Sequence, residues 1–332
     1  MSDLPYQLRG KRVWVAGHAG MVGSALLRRL KSEDITLITA DRNEVDLRRQ
    51  EQVERFIAAA RPQVIFLAAA RVGGILANDN FPAAFLYDNL AIAANVVEAA
   101  RRSGAEKLLN LGSTCVYPKF APQPIREDAL LTGPLEPTNQ WYAVAKIAAI
   151  KLCDAYRRQH GCDFISAMPT NLYGPNDNFD LDSSHVIPGL IAKFAQARAD
   201  NKDEVIVWGT GTPRREFLHV DDCADALVHL MKHFSGEGSV NIGAGTDVTI
   251  RELAEMIAEI SGFRGAIRFD PSRPDGTPRK LSDCERIHAL GWSARIPLRE
   301  GLARTYDWFE REHHHLRART QYELAPAPDN RT

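Results

Sequence analysis

The apolar positions in the first half of the chain form short runs, and longer amphipathic stretches lie between them. Short apolar runs are typical of strands buried on both faces, whereas the stretches between them have helical periodicity. The predicted strands are 12–16, 35–40, 64–70, 107–111 and 164–168, and the predicted helices are 24–30, 50–60, 83–103 and 140–160. Strands that alternate with helices predict an α/β fold, in which helices cover both faces of a doubly wound parallel sheet.

The pattern changes after residue 175, where polar loops and shorter elements replace the regular alternation. These are a polar loop at 176–184, a short β-like run at 205–208, a helix at 251–261 and a Pro/Gly-rich loop at 270–280. We therefore expect a dinucleotide-binding domain over 1–175, to which 218–240 returns. A smaller C-terminal α/β substrate-binding region should comprise 176–217 and 241–320. The last residues, 321–332, are expected to form a disordered tail.

Three glycines follow the first predicted strand and open the first predicted helix. They stand in GHAGMVG at 17–23, where they permit a tight turn and a close approach of the backbone to a ligand. The helix would then present free N–H groups and the positive end of its dipole to a pyrophosphate. A glycine turn without a ligand is the alternative. The surrounding alternation of strands and helices favours a Rossmann-like nucleotide site.

The end of the second predicted strand should lie beside the adenosine ribose of such a nucleotide. Asp41 could accept a hydrogen bond from the 2′-hydroxyl of NAD, whereas Arg42 could pair with the 2′-phosphate of NADP. The two neighbours favour different cofactors, and these residues alone leave the choice open.

Tyr142 and Lys146 are four residues apart and share one face of a predicted helix. The lysine could lower the pKa of the phenol, so that the tyrosine exchanges a proton with a carbonyl or alcohol oxygen near neutral pH. Ser113 could hydrogen-bond the same oxygen, and Cys115 stands two residues after it. A helical Tyr–Lys pair is more often an ordinary surface pair, and a lone cysteine is more often a buried apolar residue. The glycine motif and the neighbouring serine favour the catalytic interpretation.

The composition excludes several other classes of function. The 332 residues carry a net charge of −1, with 45% hydrophobic and 25% charged residues, which argues against nucleic-acid or membrane-surface binding by bulk charge. There is no apolar run typical of a signal peptide or a membrane span, so we expect a cytoplasmic protein. The five cysteines are scattered without a CxxC spacing, so we expect no metal site.

Several segments resemble the extended short-chain dehydrogenase/reductase family, and within it the epimerase-reductases of GDP-4-keto-6-deoxy-D-mannose. They are GHAGMVGSA (17–25), AAARVGGI (68–75), LGSTCVYPK (111–119), EPTNQWYAVAKIA (136–148), MPTNLYGPNDNF (168–179), SHVIP (184–188), REFLHVDD (215–222) and PDGTPRKL (274–281). The resemblance implies epimerisation at sugar carbons 3 and 5 and reduction of the 4-keto group by NADPH. Its implied partners are a nucleotide-sugar substrate and a second copy of the chain in a homodimer.

The resemblance also implies a role for each candidate residue. Cys115 would be the base and His185 the acid of epimerisation, and a thiol and an imidazole both titrate near neutrality. Ser113 and Tyr142 would hold the carbonyl oxygen, while Lys146 would tune Tyr142. The implied cofactor contacts are Gly17, His18, Gly20, Met21, Val22, Gly23, Asp41, Arg42, Asp46, Leu47, Leu111, Gly112, Lys146, Pro169, Asn171, Leu172 and His185. The implied substrate contacts are Lys193, Trp208, Arg215, Asp275 and Lys280.

One position departs from the family pattern. Several bacterial relatives carry an arginine between the first two glycines, where it helps to bind the 2′-phosphate of NADP, and this chain has Ala19. Arg42 keeps NADP favoured as the cofactor, and Asp41 keeps NAD use open.

Three other functions compete with this interpretation. A synthase of GDP-L-colitose, which acts on a 3,6-dideoxy-4-keto sugar, would share every catalytic residue. A non-catalytic dinucleotide sensor would tolerate the loss of Ser113, Tyr142 or Lys146, and all three are present. A simple 4-epimerase without net reduction would leave Cys115 and His185 without a purpose.

Overall fold

The computed structural model describes residues 5–181, 183–273 and 275–323, without the side chains at 75, 76 and 313–323. Its strands are β1 (Arg12–Ala16), β2 (Thr36–Ile38), β3 (Val64–Leu67), β4 (Lys107–Leu111), β5 (Asp163–Pro169), β6 (Asn171–Tyr173), β7 (Glu204–Trp208), β8 (Arg214–His219), β9 (Ser239–Ile242), β10 (Asp247–Thr249), β11 (Ala266–Asp270) and β12 (Arg279–Lys280). Its helices are α1 (Met21–Leu30), α2 (Gln50–Ala60), α3 (Ile75–Asn80), α4 (Pro82–Arg102), α5 (Gln140–His160), α6 (Val186–Ala199), α7 (Val220–His233), α8 (Ile250–Ser261), α9 (Glu285–Ala289) and α10 (Leu298–Glu323). Of the expected tail, 321–323 end α10, and 324–332 lie outside the described residues.

Six of these strands form one parallel sheet in the order β2-β1-β3-β4-β5-β9. The predicted α/β class with a doubly wound parallel sheet is therefore confirmed. Three strands differ from the sequence pattern. In the interior of the sheet, β3 ends at residue 67 rather than 70. At the edge of the sheet, β2 covers 36–38 rather than 35–40. The opposite edge strand, β9, was not predicted, because its sequence SVNI lacks a continuous apolar run.

Alternate side chains of the central strands enter two cores on the two faces of this sheet. In β1, Val13 and Val15 pack in the core that includes Leu227 of α7. Trp14, between them, packs in the core that includes Val53 of α2. Because successive side chains point to opposite faces, a strand covered on both faces must be apolar throughout. This requirement explains why the central strands could be predicted from the sequence pattern.

A third core lies in the C-terminal part of the molecule and brings together α6, α8 and α10. It buries Phe194, Ile257 and Tyr306, one from each helix. The strands β6, β8, β10 and β12 join in one small sheet, and β7 pairs with β11. Apart from β7, these strands were not predicted, because they are short and include many polar residues.

The chain returns to the main sheet in α7 and β9, after the first strands of the small sheets. A second return follows, since Cys284, Ile287 and Trp292 are buried in the same core as α7. These three residues lie in the range 241–320 that the sequence pattern grouped with the substrate region. The five-residue helix α9 is too short to show a periodicity that would have placed it.

The described part of the chain contains no helix that is both long and apolar enough to cross a membrane. Nor does it contain a group of three or more His, Cys, Asp or Glu side chains placed to hold a metal ion. All five cysteines are free thiols.

Candidate active site

The turn between β1 and α1 is so tight that two of its positions require glycine. Gly17 has a φ of +85°, and a Cβ on it would lie 2.7 Å from the backbone of Ala69. A Cβ on Gly23 would lie 2.0 Å from the carbonyl oxygen of Gly17. Helix α1 begins after Gly20 with no side-chain cap and no acidic residue in its first turn. The first turn is therefore suited to bind the pyrophosphate of a dinucleotide through its N–H groups.

His18, Met21 and Val22 are partly buried around the glycine turn, whereas Ala19 is exposed. Met21 and Val22 pack against the core of the main sheet. The Nδ1 atom of His18 is buried and has no hydrogen-bond partner among the described residues. A buried polar atom without a partner is unfavourable, so a ligand or water in this turn would stabilise it.

Asp41 and Arg42 follow β2, and both are exposed. The Oδ1 atom of Asp41 accepts hydrogen bonds from the backbone N–H groups of Asn43 (2.7 Å) and Glu44 (3.2 Å). The carboxylate of Asp41 thus already stabilises its own turn. Arg42 forms no hydrogen bond within the described part of the chain, so its guanidinium is available to a ligand.

Asp46 and Leu47 lie on the loop that leads into α2. Hydrogen bonds from Arg48 lower the pKa of Asp46 to about 2, and the charge of Arg42 contributes in the same direction. The carbonyl oxygen of Leu47 accepts a hydrogen bond from Asn95 Nδ2 at 2.9 Å. These contacts fix the loop against α4, beside Arg42.

Ser113, Cys115, Tyr142 and Lys146 come together at the carboxyl end of β4. Lys146 Nζ donates a hydrogen bond to the carbonyl oxygen of Leu111 at 2.7 Å and lies 5.7 Å from the centre of the Tyr142 ring. Ser113 Oγ accepts a hydrogen bond from the N–H of Cys115 at 3.4 Å, in a single 3-10 turn. We call these four residues the catalytic cluster.

Burial controls the titration of the catalytic cluster. It raises the pKa of Tyr142, and the nearby Cys115 adds to the rise. It lowers the pKa of Lys146 to about 8, while Cys115 opposes this effect. The pKa of Tyr142 is therefore raised rather than lowered as expected, because burial is the largest influence on it. The phenol stays protonated, which is the form that donates a proton.

His185 precedes α6 at the end of the loop that begins at Gly174, and its side chain is exposed. The protein around it still lowers its pKa by limiting hydration of the charged form. The N–H of Gly74 donates to the carbonyl of Ser183 at 2.9 Å and ties this loop to the segment after β3. Among the described residues, no hydrogen bond joins the His185 side chain to the catalytic cluster, so the structure does not connect them directly.

The carboxyl ends of β4 and β5 are closely apposed next to the catalytic cluster. The N–H of Gly112 donates to the carbonyl of Ala167 at 2.8 Å, and a Cβ on Gly112 would lie 2.3 Å from a methionine sulfur of β5. Pro169 ends β5, and Leu172 of β6 packs on the core of the main sheet. Asn171 Nδ2 donates to a backbone carbonyl of β8 at 2.7 Å, so its amide reinforces the pairing of β6 with β8 in the small sheet.

Arg215 of β8 and Lys280 of β12 are direct partners in neighbouring parallel strands. Their side chains therefore project from the same face of the small sheet. Burial lowers the pKa of both cations, and Asp275 partly offsets this effect for Arg215. Arg215 donates to two backbone carbonyls, those of Arg214 (2.9 Å) and Asp275 (3.4 Å). Lys280 forms no hydrogen bond or ion pair with any described residue, and such a pair of cations suits phosphate.

Trp208 is exposed at the end of β7 and has a cation on either flank. Lys193 Nζ lies 4.9 Å and Arg273 Cζ 5.0 Å from the ring centre. Arg273 lies in the Pro/Gly-rich loop and was not among the predicted site residues. Asp275 has both carboxylate oxygens occupied, since they accept from Thr210 N (2.7 Å) and Thr210 Oγ1 (2.8 Å). Asp275 therefore joins two loops near Trp208.

Glu216 is a buried carboxylate that the sequence analysis missed. It is 0% exposed and accepts hydrogen bonds from the N–H groups of Gly245 (2.8 Å) and Ser282 (3.0 Å). It thereby ties β8 to the loop after β9 and to the segment after β12. Glu216 follows Arg215 directly and holds the segment that carries Lys280. Within REFLH an acidic residue is indistinguishable from an ordinary surface charge.

Comparisons with known proteins agree with this arrangement. The chain matches the family described as the NAD dependent epimerase/dehydratase family over residues 13–243. It is 59% identical to a GDP-L-fucose synthase of Sinorhizobium fredii (strain NBRC 101917 / NGR234) over 304 residues, which cover 92% of this chain and 97% of the relative. A GDP-L-colitose synthase of Yersinia pseudotuberculosis is 39% identical, over 91% of this chain and 98% of its own length.

The fold also matches a solved structure along nearly its whole length. The crystal structure of a GDP-L-fucose synthetase from Naegleria fowleri bound to NADP superposes with a TM-score of 0.88 at 28% identity, over 94% of this chain and 98% of the other. The family match covers well over half of the chain, including the glycine turn and the catalytic cluster. The chain therefore belongs to the NAD dependent epimerase/dehydratase family, within the extended short-chain dehydrogenases/reductases.

Proposed function

We propose that the chain converts GDP-4-keto-6-deoxy-D-mannose to GDP-L-fucose, by epimerisation at carbons 3 and 5 and then NADPH-dependent reduction at carbon 4. The observation that carries this proposal is the convergence of Ser113, Cys115, Tyr142 and Lys146 at the carboxyl end of β4. A simple carbonyl reductase needs only the serine, tyrosine and lysine, whereas a thiol beside them supplies a base. The fucose product is favoured over colitose by the higher identity to the fucose synthase, 59% against 39%.

The epimerisation uses the acidity of the protons next to the ketone. A carbanion at carbon 3 or 5 is stabilised because its charge delocalises onto the ketone oxygen as an enolate. Cys115 would remove a proton from one face of the sugar, and His185 would return a proton to the opposite face. Ser113 and Tyr142 would donate hydrogen bonds to the enolate oxygen, and the raised pKa of Tyr142 keeps its donor proton in place.

The reduction reuses the same oxygen-binding residues. When bound, NADPH would supply the hydride for carbon 4. Tyr142 would donate its proton to the oxygen of that carbon as the alcohol forms. Lys146 is held beside the Tyr142 ring by its bond to the Leu111 carbonyl, and its pKa of about 8 leaves it largely charged at neutral pH. Its ammonium would then stabilise the negative charge that remains on Tyr142.

Arg42 is the residue proposed to select NADP over NAD. The carboxylate of Asp41 is engaged by its own turn, whereas Arg42 is exposed and has no hydrogen-bond partner among the described residues. The relative from Naegleria fowleri is bound to NADP. Ala19 leaves the glycine turn without a second cation, so the preference should depend on Arg42.

We propose that cofactor binding and substrate binding belong to different parts of the molecule. The main sheet, with the glycine turn and the catalytic cluster, would form the cofactor-binding domain. The small sheets and α6 would form the substrate-binding domain, where Arg215 and Lys280 bind the two phosphates and Trp208 contacts the guanine. Lys193 and Asp275 would complete this site.

A cytoplasmic homodimer is the proposed assembly. The helices α4 and α5 pack against each other and expose the apolar side chains of Tyr87, Trp141 and Val144. Two copies could cover these side chains by forming a four-helix bundle. Light scattering after size exclusion should then give twice the chain mass of 36.9 kDa. A monomeric mass at micromolar concentration would contradict the dimer.

The proposed activity is tested by incubating the protein with GDP-4-keto-6-deoxy-D-mannose and either NADPH or NADH. Loss of NADPH absorbance should match the sugar consumed, and NMR should identify GDP-L-fucose. The 3,6-dideoxy-4-keto sugar, offered under the same conditions, should turn over more slowly. Absence of NADPH oxidation, or a product with the original configuration at carbons 3 and 5, would refute the proposal.

A further inference from the structure

The indole of Trp208 is an apolar surface that the C-terminal core does not use. Trp208 ends β7 directly opposite Asp270, the last residue of β11. Because side chains alternate along a strand, Val207 enters the core and Trp208 projects from the opposite face. The indole therefore remains 46% exposed.

The loop after β11 folds back over this indole and is fixed by several contacts. The N–H of Arg273 donates to the carbonyl of Asp270 at 3.3 Å. Asp275 accepts hydrogen bonds from the N–H and the hydroxyl of Thr210, at 2.7 and 2.8 Å. Gly209 has a φ of +82°, and a Cβ on it would lie 2.3 Å from the Asp275 carboxylate. These contacts hold Arg273 at a defined place beside the indole.

The guanidinium of Arg273 lies over the indole with its N–H donors unused. Its Cζ atom is 5.0 Å from the centre of the Trp208 ring. It forms no hydrogen bond or ion pair with any described residue. The neighbouring Asp270 Oδ1 is engaged by the N–H (3.0 Å) and the hydroxyl (2.6 Å) of Ser272. An arginine that is held on an aromatic ring and keeps its donors free is preorganised to bind a ligand.

The second cation beside the indole has a different geometry. Lys193 Nζ lies 4.9 Å from the Trp208 ring centre and donates to the carbonyl of Ile206 at 3.4 Å. An ammonium is a point charge, whereas a guanidinium presents a planar fork of donors that matches two adjacent acceptors. Guanine carries two such acceptors, O6 and N7, on one edge. Adenine has an amino donor in place of O6. Arg273 is therefore the residue beside Trp208 that can distinguish the two bases at this edge.

We propose that Arg273 is a specificity-determining residue that selects guanine over adenine in the substrate, by donating two hydrogen bonds to O6 and N7 of the base. This inference rests on the proposed function, in which Trp208 contacts the guanine of a GDP-sugar. The phosphates remain with Arg215 and Lys280. Arg273 should therefore contribute to the choice of base and little to the affinity for the diphosphate.

The test is calorimetric titration of GDP, IDP and ADP into the protein saturated with NADP, so that ADP cannot occupy the cofactor site. Hypoxanthine, the base of IDP, carries the same O6 and N7 as guanine. In Arg273→Met the Kd should rise by about tenfold for GDP and for IDP, and by less than about threefold for ADP. The methionine retains an apolar chain against the indole, so the loss is confined to the donors.

Arg251→Met is the matched control. Arg251 is also an exposed arginine over an aromatic ring, with its Cζ 4.0 Å from the ring centre of Phe269. Phe269 packs on the C-terminal core, so this arginine lies on the face of the strand pair opposite to Trp208. Arg251→Met should leave the affinities for all three nucleotides unchanged.

Two results would overturn the proposal. Equal weakening of GDP and ADP in Arg273→Met would assign the arginine to the diphosphate that both share. An unchanged Kd for GDP or for IDP in the folded variant would remove the contact with O6 and N7. Folding is checked by thermal unfolding, and if Arg273→Met does not fold, Arg273→Ala is judged by the same criteria.

The binding result is independent of turnover. A preference for GDP that Arg273→Met abolishes, in a protein that forms no GDP-L-fucose, would support the role of Arg273 and refute the proposed activity. Normal product formation with an undiminished preference for GDP in the variant would refute the role of Arg273 alone.

Discussion

The phenol of Tyr142 stays protonated at neutral pH because burial, with Cys115 nearby, raises its pKa. A neutral phenol can donate a hydrogen bond to the ketone during epimerisation and a proton to the alkoxide during reduction. One side chain can therefore serve both stages without changing its protonation in between. In the proposed mechanism, Lys146 would support the second stage, since its ammonium would stabilise the tyrosine after the proton has left.

Tyr142→Phe tests this role, because the substitution removes only the phenolic hydroxyl. The ring contact with Phe85, at 6.4 Å between centroids, can be retained, so the fold should be unaffected. We expect turnover to fall by about 10²- to 10⁴-fold, with NADPH binding nearly unchanged, because only the proton donor is removed. The control is Tyr6→Phe, which removes a hydroxyl that donates to Glu106 outside the catalytic cluster and should retain wild-type turnover. Turnover within tenfold of wild type would remove Tyr142 as the donor.

Arg42→Ala tests the choice of cofactor. A charge-assisted hydrogen bond contributes roughly 1.5–3 kcal/mol, so the KM for NADPH should rise by about 10- to 100-fold. The KM for NADH should change little, because NADH lacks the 2′-phosphate. Arg55→Ala, an exposed arginine of α2, is the matched control. An equal rise for both cofactors would contradict a role in selecting the phosphate.

At the scale of elements, Glu216 holds together the strands that carry the proposed phosphate-binding cations. It bridges β8, the loop after β9 and the segment after β12 through two backbone N–H groups. A fully buried carboxylate with two such bonds resists replacement, since an amide can supply only one acceptor oxygen. The small sheet should therefore depend on this one side chain more than on its surface ion pairs.

Glu216→Gln is expected to lower the free energy of unfolding by about 1–3 kcal/mol, because one buried N–H loses its acceptor. The measurement is urea unfolding followed by circular dichroism. Glu204→Gln breaks only the exposed ion pair with Arg268 and should change stability by less than about 1 kcal/mol. Equal effects of the two substitutions would contradict the bridging role.

The helices and central strands of the first half of the chain could be predicted from the sequence, whereas the small sheet and the long helices α6 and α10 were not. A strand such as β1 is apolar because both faces are covered, and this leaves a local signal. In β9, Asn241 is fully buried, and its polar atoms are satisfied by Tyr117 and by the carbonyl of Ile125. Those partners are distant in sequence, so no local pattern could indicate that β9 is buried. The same limit applies to Arg215 and Lys280, which only the pairing of β8 with β12 brings together.

At the scale of the whole molecule, carboxyl groups with lowered and with raised pKa values make the free energy of unfolding depend on pH in opposite directions. Hydrogen bonds from Arg48 lower the pKa of Asp46 to about 2, and those from Arg101 lower the pKa of Glu98. These groups stabilise the fold above their unfolded pKa of about 4, and this stability is lost as pH falls toward about 2. Burial raises the pKa of Asp177 to about 7. Its contribution is full below about pH 4 and is lost as pH rises through about 7.

The urea midpoint should therefore be highest at about pH 4–5 and decline on both sides. Asp177→Asn should reduce the decline between about pH 5 and 8 and leave the acid decline unchanged; Glu216, whose pKa burial also raises, accounts for the remainder. Asp128→Asn, at an exposed position, serves as the control and should follow the wild-type curve. An undiminished decline above pH 5 in Asp177→Asn would contradict the assignment to this carboxyl group.

The most direct test of a single site that both epimerises and reduces is turnover of GDP-4-keto-6-deoxy-D-mannose with NADPH in deuterium oxide. NMR of the product should show deuterium at carbons 3 and 5 and none at carbon 4, because solvent protons enter only through the epimerisation. Cys115→Ser should suppress the incorporation at both carbons while the protein remains folded. A reduced sugar from the wild-type protein without deuterium at either carbon would contradict the central claim.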